Sequence, residues 1–327
     1  ELFWQGGVRQ KEVDRMKKYG ILSKIFYILV ILLVAAGVLE VLLFREVSNF
    51  RRPAKKEVSI NPSTLLLNVN EIPFHTKDGI ELRGWLIPGK PSYPAIIIAH
   101  DYGSDRSETL GKLEGLVSDL NKQGYFIFLF DFRGHGSSGS TSSLGLRESD
   151  DMEAALREVL KYRQIGRRIA VLGIGMGAIA ASLACEKVDE TKVVLLDSVY
   201  DDIPDRYTEA ILSEWPAGNF MRPILLRAVD WNLRLALNIK DTNLHLRDHM
   251  PRLYHRPVVF VETTPPNPPA RSLYDAAREP KEMLQLGETA ADDLMGDSRT
   301  RYKEEIGKIL KKYFPPVTDQ QTMEIPK

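Results

Sequence analysis

Apolar and polar positions divide this chain of 327 residues into two unlike parts. From Ile25 to Phe44, twenty residues carry a single charge, Glu40. A helix of that length is roughly 30 Å long, the thickness of a bilayer's hydrocarbon core. No polar face appears for nearly four turns, which disfavours a buried core helix, and the run continues past Ala35-Ala36-Gly37, which disfavours a cleaved signal. Beyond it the pattern changes to short apolar runs near 64–69, 80–87, 95–100, 126–131, 169–172, 193–197, 258–261 and 282–286. Most are continuously apolar, as in strands buried on both faces of a parallel sheet. Helical periodicity falls near 107–122, 149–163, 176–187, 270–277 and 299–313. Strands alternating with helices predict an α/β body: a mostly parallel eight-stranded sheet with helices on both faces. The expected divisions are a charged segment 1–24, a transmembrane helix 25–44, a basic linker 45–60, the body 61–315 and a tail 316–327.

One turn stands out within the body. Residues 169–180 read as an apolar strand, a glycine-rich turn and a small-residue helix start, the turn being Gly173-Ile174-Gly175-Met176-Gly177. This is the frame of a nucleophile elbow, G-x-S-x-G, with glycine at the centre. A sharp strand-to-helix turn strains its central residue, and flanking glycines let helix pack closely on strand. Nucleotide-binding readings fail on spacing. Ala178 follows Gly177, so G-x-G-x-x-G is incomplete, and no Gly-Lys-Ser/Thr follows.

The surroundings of this frame carry a family resemblance. In order come Asp78-Gly79 with Leu82-Arg83-Gly84-Trp85-Leu86-Ile87-Pro88, a strand ending at His100, Asp131-Phe132-Arg133-Gly134-His135-Gly136-Ser137-Ser138, and Gly145, Glu148 and Asp151 opening a helix. The set resembles the α/β-hydrolase superfamily, in particular its membrane-anchored, bacterial-type and ABHD-like serine hydrolases, over roughly residues 60–315. The resemblance implies an α/β-hydrolase fold in which the insertion about 199–255, rich in large apolar residues such as Trp215, Phe220, Leu225, Val229, Trp231 and Leu233, forms a lid.

It also implies where a Ser-His-Asp triad would sit. Gly175 stands at the serine position. The strand 257–261 leads into Glu262-Thr263-Thr264-Pro265-Pro266-Asn267-Pro268-Pro269, with Pro266 about where the acid belongs. Ala290 stands at the histidine's place, and no histidine follows His255. Triad chemistry needs a hydroxyl, a base and an acid. With all three positions empty, the expectation is that the chain is not an enzyme. An oxyanion-like pocket from backbone N–H groups near Asp101 and Met176 remains for binding. Other candidates are Asp197 and Ser198 at the carboxyl edge of the sheet, with His100 or His135 near the pocket mouth. Each also reads as an ordinary turn residue, and Cys185 reads as a buried core side chain. His245 and His249 share an i, i+4 spacing but lack H-E-x-x-H context, so no metal is expected, nor any cofactor.

Charge adds little. Forty-four acidic and forty-four basic residues leave no net charge, which argues against a nucleic-acid partner. One cysteine excludes an internal disulfide. Basic residues flank the apolar run on both sides, and the slight excess before it keeps the amino end inside and places the body outside the cytoplasm. Three function classes follow. The leading expectation is a membrane-anchored, catalytically inactive α/β-hydrolase-like subunit of a larger membrane complex. It would contact the bilayer and other membrane subunits through the Glu40 helix and the lid, since an intramembrane carboxylate seeks a partner. The alternatives are a lipid- or acyl-binding module and an esterase-type hydrolase with displaced catalytic residues.

Overall fold

The computed structural model describes residues 2–54, 60, 62–65, 67–213, 215, 220–238, 245–262, 268–286 and 297–316. One helix, α1 (Leu2–Phe50), runs through the whole apolar stretch and beyond it. At 1.5 Å per residue its 49 residues extend roughly 74 Å. It is the one helix among the described residues long and apolar enough to cross a membrane. Its side chains from Tyr19 to Val38 are exposed, but Leu43 and Val47 are fully buried, with Leu39 and Phe50 packed partly beside them. That i, i+4 spacing is the stripe by which the last turns of α1 join the body.

The body is an eight-stranded sheet: β1 (Asn70–His75), β2 (Glu81–Ile87), β3 (Ala95–Ala99), β4 (Phe126–Asp131), β5 (Ile169–Ile174), β6 (Thr191–Asp197), β7 (Val258–Glu262) and β8 (Lys281–Gln285). Strand order is β1-β2-β4-β3-β5-β6-β7-β8. Only the β1–β2 and β2–β4 pairs are antiparallel. The sheet expected from the sequence is therefore present, with one displaced strand. The apolar run 64–69 is not β1; its start lies in a 3₁₀ turn, Pro62–Leu65. β1 instead begins at Asn70, where alternation starts, burying Ile72 and Phe74. As an edge strand it tolerates Pro73, which has no N–H to give a second neighbour.

Helices cover both faces: α2 (Arg106–Lys112), α3 (Glu114–Lys122), α4 (Glu148–Val159), α5 (Met176–Ala184), α6 (Ile203–Ile211), α7 (Arg222–Ala236), α8 (Pro268–Ala276) and α9 (Asp297–Tyr313). The segment 107–122 forms two helices instead of one, with Asp105 capping α2 through bonds from the Ser107 and Glu108 N–H groups at 2.8 and 2.9 Å. Alternate residues of β3 divide the core. Ala95, Ile97 and Ala99 pack with α4, α5 and the end of α1, whereas Ile96 and Ile98 pack with α2, α3 and α9. The insertion between β6 and β7 carries α6 and α7, and α7 lies against α1.

Candidate active site at the elbow

The sheet register builds the site. β3 and β5 are parallel neighbours, with Ala99 opposite Gly173. The chain reverses direction of winding here, since β4 lies on the far side of β3, and such switch points open a crevice beyond the strand ends. Asp101 leaves β3 and Gly175 leaves β5 into this one crevice. Gly175 has φ +51° and ψ −109°, a conformation that a side-chain-bearing residue adopts only under strain. Gly177 lets α5 start against β3, because a Cβ there would meet the Ala99 carbonyl oxygen at 2.5 Å.

The Asp101 side chain fills the space over Gly175. A Cβ on Gly175 would lie 2.0 Å from Asp101 Oδ1 and 2.4 Å from Oδ2. Asp101 Oδ1 accepts two backbone hydrogen bonds, from Met176 N–H at 2.6 Å and Tyr102 N–H at 2.7 Å. These two donors sit where an oxyanion hole would have them, at the first turn of α5 and just after β3. Aromatic rings surround the carboxylate. Tyr102 stacks on Phe50 at the end of α1 with centroids 4.7 Å apart, and Tyr207 of α6 meets both edge-on. The Tyr102 hydroxyl donates to the Phe50 carbonyl. Burial, then the Asp101 charge, push the Tyr200 phenol well above its ordinary pKa; Tyr207 is raised by burial first, with Tyr200 and Asp101 adding to it.

The histidines are structural here. His100 is buried, its Nδ1 donating to the Asp101 carbonyl at 2.7 Å and its Nε2 accepting the Phe132 N–H at 3.1 Å. Burial pushes its pKa down to about 4, so the ring is neutral. His135 donates from Nδ1 to the Arg133 carbonyl and accepts the Gly103 N–H at Nε2. With both nitrogens of each ring engaged, the pair fixes the turns after β3 and β4. Asp197 is fully buried, accepting from Ser198 Oγ at 2.9 Å and the Tyr302 hydroxyl at 2.6 Å. That bond ties β6 to α9. The combination of Asp197 or Ser198 with His100 or His135 therefore does not form a nucleophile–base pair. Cys185 is buried, and burial pushes its thiol up to about 12. Pro266 and Ala290 lie outside the described residues. Among the described residues no cluster of histidine, cysteine, aspartate or glutamate forms a metal site.

Two buried ion networks hold the crevice rim. Asp131 Oδ2 receives Arg106 Nη1 at 2.7 Å, and Asp151 receives Arg133 Nη2 at 2.6 Å. Glu148 accepts bonds from Ser142 Oγ, Ser143 N and Oγ, and Gly145 N, which explains the Gly145/Glu148 pairing in the sequence. A cleft of about 390 Å³ lies elsewhere, between α6 and α7, and shares no lining residue with the elbow.

The comparisons agree with this fold. The model of the Alpha/beta hydrolase family matches residues 86–305. The chain belongs to the α/β-hydrolase family. The uncharacterised protein YfhR of Escherichia coli O157:H7 is 31% identical over 140 residues, 41% of this chain and 48% of that protein. Protein phosphatase methylesterase 1 of Candida albicans is 26% identical over 180 residues, 54% of this chain and 48% of that one. The chain spans about half the length of these curated relatives. Among solved structures, the Pyrococcus furiosus esterase Pf2001 aligns with a TM-score of 0.64 at 20% identity, covering 80% of this chain and 97% of that one.

These findings overturn the expectation that the chain is not an enzyme. Its family is one of hydrolases, its fold is shared with a solved esterase, and one relative is a methylesterase. That expectation weighed the triad positions Gly175, Pro266 and Ala290, with Asp197, Ser198, Cys185, His100 and His135 as substitutes, and took the region of Asp101 only for its backbone N–H groups. The carboxylate that occupies the same space arrives from the neighbouring strand. A sequence signal for it existed: where the resemblance has His-Gly at the end of β3, this chain has His100-Asp101. The Asp101 side chain and the bare Cα of Gly175 are complementary in one space.

Proposed function

We propose that this α/β-hydrolase is a membrane-anchored hydrolase of carboxylic esters in which Asp101 replaces the elbow serine as the reactive group. The supporting observation is the Asp101 carboxylate held over Gly175 by the Met176 and Tyr102 N–H groups. With Oδ1 fixed, Oδ2 serves as general base. It takes a proton from a water molecule as that oxygen bonds to the ester carbon, and returns the proton to the departing alkoxide, so that acid and alcohol leave and the carboxylate is regenerated. A lone general base contributes about 10²–10⁴-fold, so turnover is slow by the standard of a full triad. The anchor is the part of α1 from Tyr19 to Phe50, whose most apolar window has a mean hydropathy of 2.8 with no part of it buried in the body.

The test is hydrolysis of p-nitrophenyl esters of graded chain length by the purified full-length protein in mild detergent. The wild type is expected to turn over at least one of them, and Asp101→Asn, which keeps the shape but not the base, should fall to background while still melting in a cooperative transition. Equal rates for the two proteins, or none for the wild type, would remove Asp101 from the chemistry.

A further inference from the structure

The outer face of α7 has no place in the ester chemistry. Phe220 is 86% exposed, Ile224 54%, Trp231 64% and Leu235 62%. Phe220 lies in the turn just before the helix, and at 100° per residue Ile224, Trp231 and Leu235 fall within a narrow stripe on one side of it. The opposite side, with Leu225, Val229 and Leu233, is buried in the body. An exposed apolar stripe of this kind, interrupted only by Arg227, marks a contact site.

Its position relative to α1 identifies the occupant. The buried Asn232 of α7 donates its Nδ2–H to Glu40 Oε1 at 2.9 Å. Glu40 lies inside the apolar run, four residues before Phe44, hence about 6 Å below its end along the helix axis. Asn232 is held at that same depth, and Trp231 and Leu235 are its neighbours on the outer side. Amphipathic helices lying in a membrane interface bury their apolar face by about 5–10 Å, the same range. The side-chain chemistry fits as well. Trp231 suits the headgroup level, and Arg227, exposed within the stripe, has the long stem that lets a charge reach water from an apolar surface.

We propose that α7 is a second membrane element, lying in the interface of the leaflet from which α1 emerges, with Phe220, Ile224, Trp231 and Leu235 in the acyl-chain boundary. This rests on the reading of α1 as an anchor. The lid then faces lipid, and α6 and its Tyr207 bring the elbow next to the bilayer surface.

Spin labels on single introduced cysteines test it, since the native Cys185 is buried. Ile224→Cys and Leu235→Cys are compared with Leu33→Cys on α1 and Lys308→Cys on exposed α9, all in the full chain reconstituted into phosphatidylcholine vesicles. Labels at 224 and 235 should resemble 33, with collision with oxygen exceeding collision with a water-soluble nickel chelate several-fold, and 308 should show the reverse. Aqueous labels at 224 and 235 with a lipid-facing 33 would overturn the docking and leave the anchor standing. Labels shielded from both reagents would overturn it in favour of a protein partner. An aqueous label at 33 would overturn anchor and docking together.

Discussion

Gly175→Ser provides the sharpest test of the site, because restoring the hydroxyl to the elbow should harm this protein. The new Cβ would fall 2.0 Å from Asp101 Oδ1 and 2.1 Å from its carboxyl carbon, a separation no relaxed structure keeps. The Asp101 side chain must therefore leave, and with it the bonds from Met176 and Tyr102 N–H. Hydrogen bonds to a charged group contribute about 1.5–3 kcal/mol each, and a residue with a Cβ at φ +51° adds about 1–2 kcal/mol of strain. Even with partial replacement of those bonds by water, the expected loss is about 4 kcal/mol. For a body of this size that corresponds to a fall in melting temperature of roughly 10 °C. The measurement is thermal unfolding of the full-length protein in detergent, followed by intrinsic fluorescence.

A double-mutant cycle separates the overlap from the strain. Asp101→Gly empties the space, so Gly175→Ser should cost about 1–2 kcal/mol in that background, the strain alone. The coupling between the two changes is then about 2–3 kcal/mol in favour of the double variant. If Gly175→Ser melts at the wild-type temperature, or if its cost is the same with and without Asp101, the carboxylate does not occupy the elbow. The reasoning about the site would then be wrong at its first step.

Other outcomes follow from the same contacts. His100 is held neutral in the fold with a pKa of about 4 against 6.5 for the free side chain, so its contribution is complete above pH 6.5 and is lost as pH falls toward 4. The loss is about 3 kcal/mol, read as the difference between the pH–stability profiles of wild type and His100→Gln; a flat difference refutes it. The difference is needed because Asp131, pushed up to about 6 by burial, changes in the opposite direction over the same window. A Glu40→Gln, Asn232→Leu cycle should give a coupling of about 1 kcal/mol in detergent melts, and none if α1 and α7 are independent. Arg51 donates to the carbonyls of Ser142 and Ala236, both at 2.9 Å, so Arg51→Ala should speed limited proteolysis in the lid, and an unchanged digestion pattern would show that the clamp does not restrain it.

The fold was legible in the sequence because its signals are local and repeated. Each inner strand is an apolar run bounded by turn residues, and each glycine of the elbow answers a steric need within five positions of chain. The boundary of β1 was misread because Leu65, Leu66 and Leu67 are apolar without alternating, whereas the real strand alternates around a proline. The course of α1 was legible only as far as Phe44. Its continuation to Phe50 depends on Leu43 and Val47 finding a buried surface on the lid side of the body, which no local pattern encodes. The site itself was half legible. Backbone N–H groups near Asp101 and Met176 follow from the frame, but the direction of the Asp101 side chain follows from the register of β3 on β5, which is a property of the sheet.

The apolar helix and the elbow are mechanically one unit. Phe50 ends α1 and stacks on Tyr102, whose N–H holds the Asp101 carboxylate, and the next residue, Arg51, bonds to Ser142 and to the last turn of α7. Ser142 in turn bonds to Glu148, which closes the Gly145 turn against α5. No flexible linker separates the apolar helix from the candidate site, because the helix stays regular until the residue that roofs it. A tilt of α1 would therefore be transmitted to Tyr102 and the lid through packed rings and short hydrogen bonds. For the ester hydrolase proposed above, that coupling would let the position of α1 set the opening of the site.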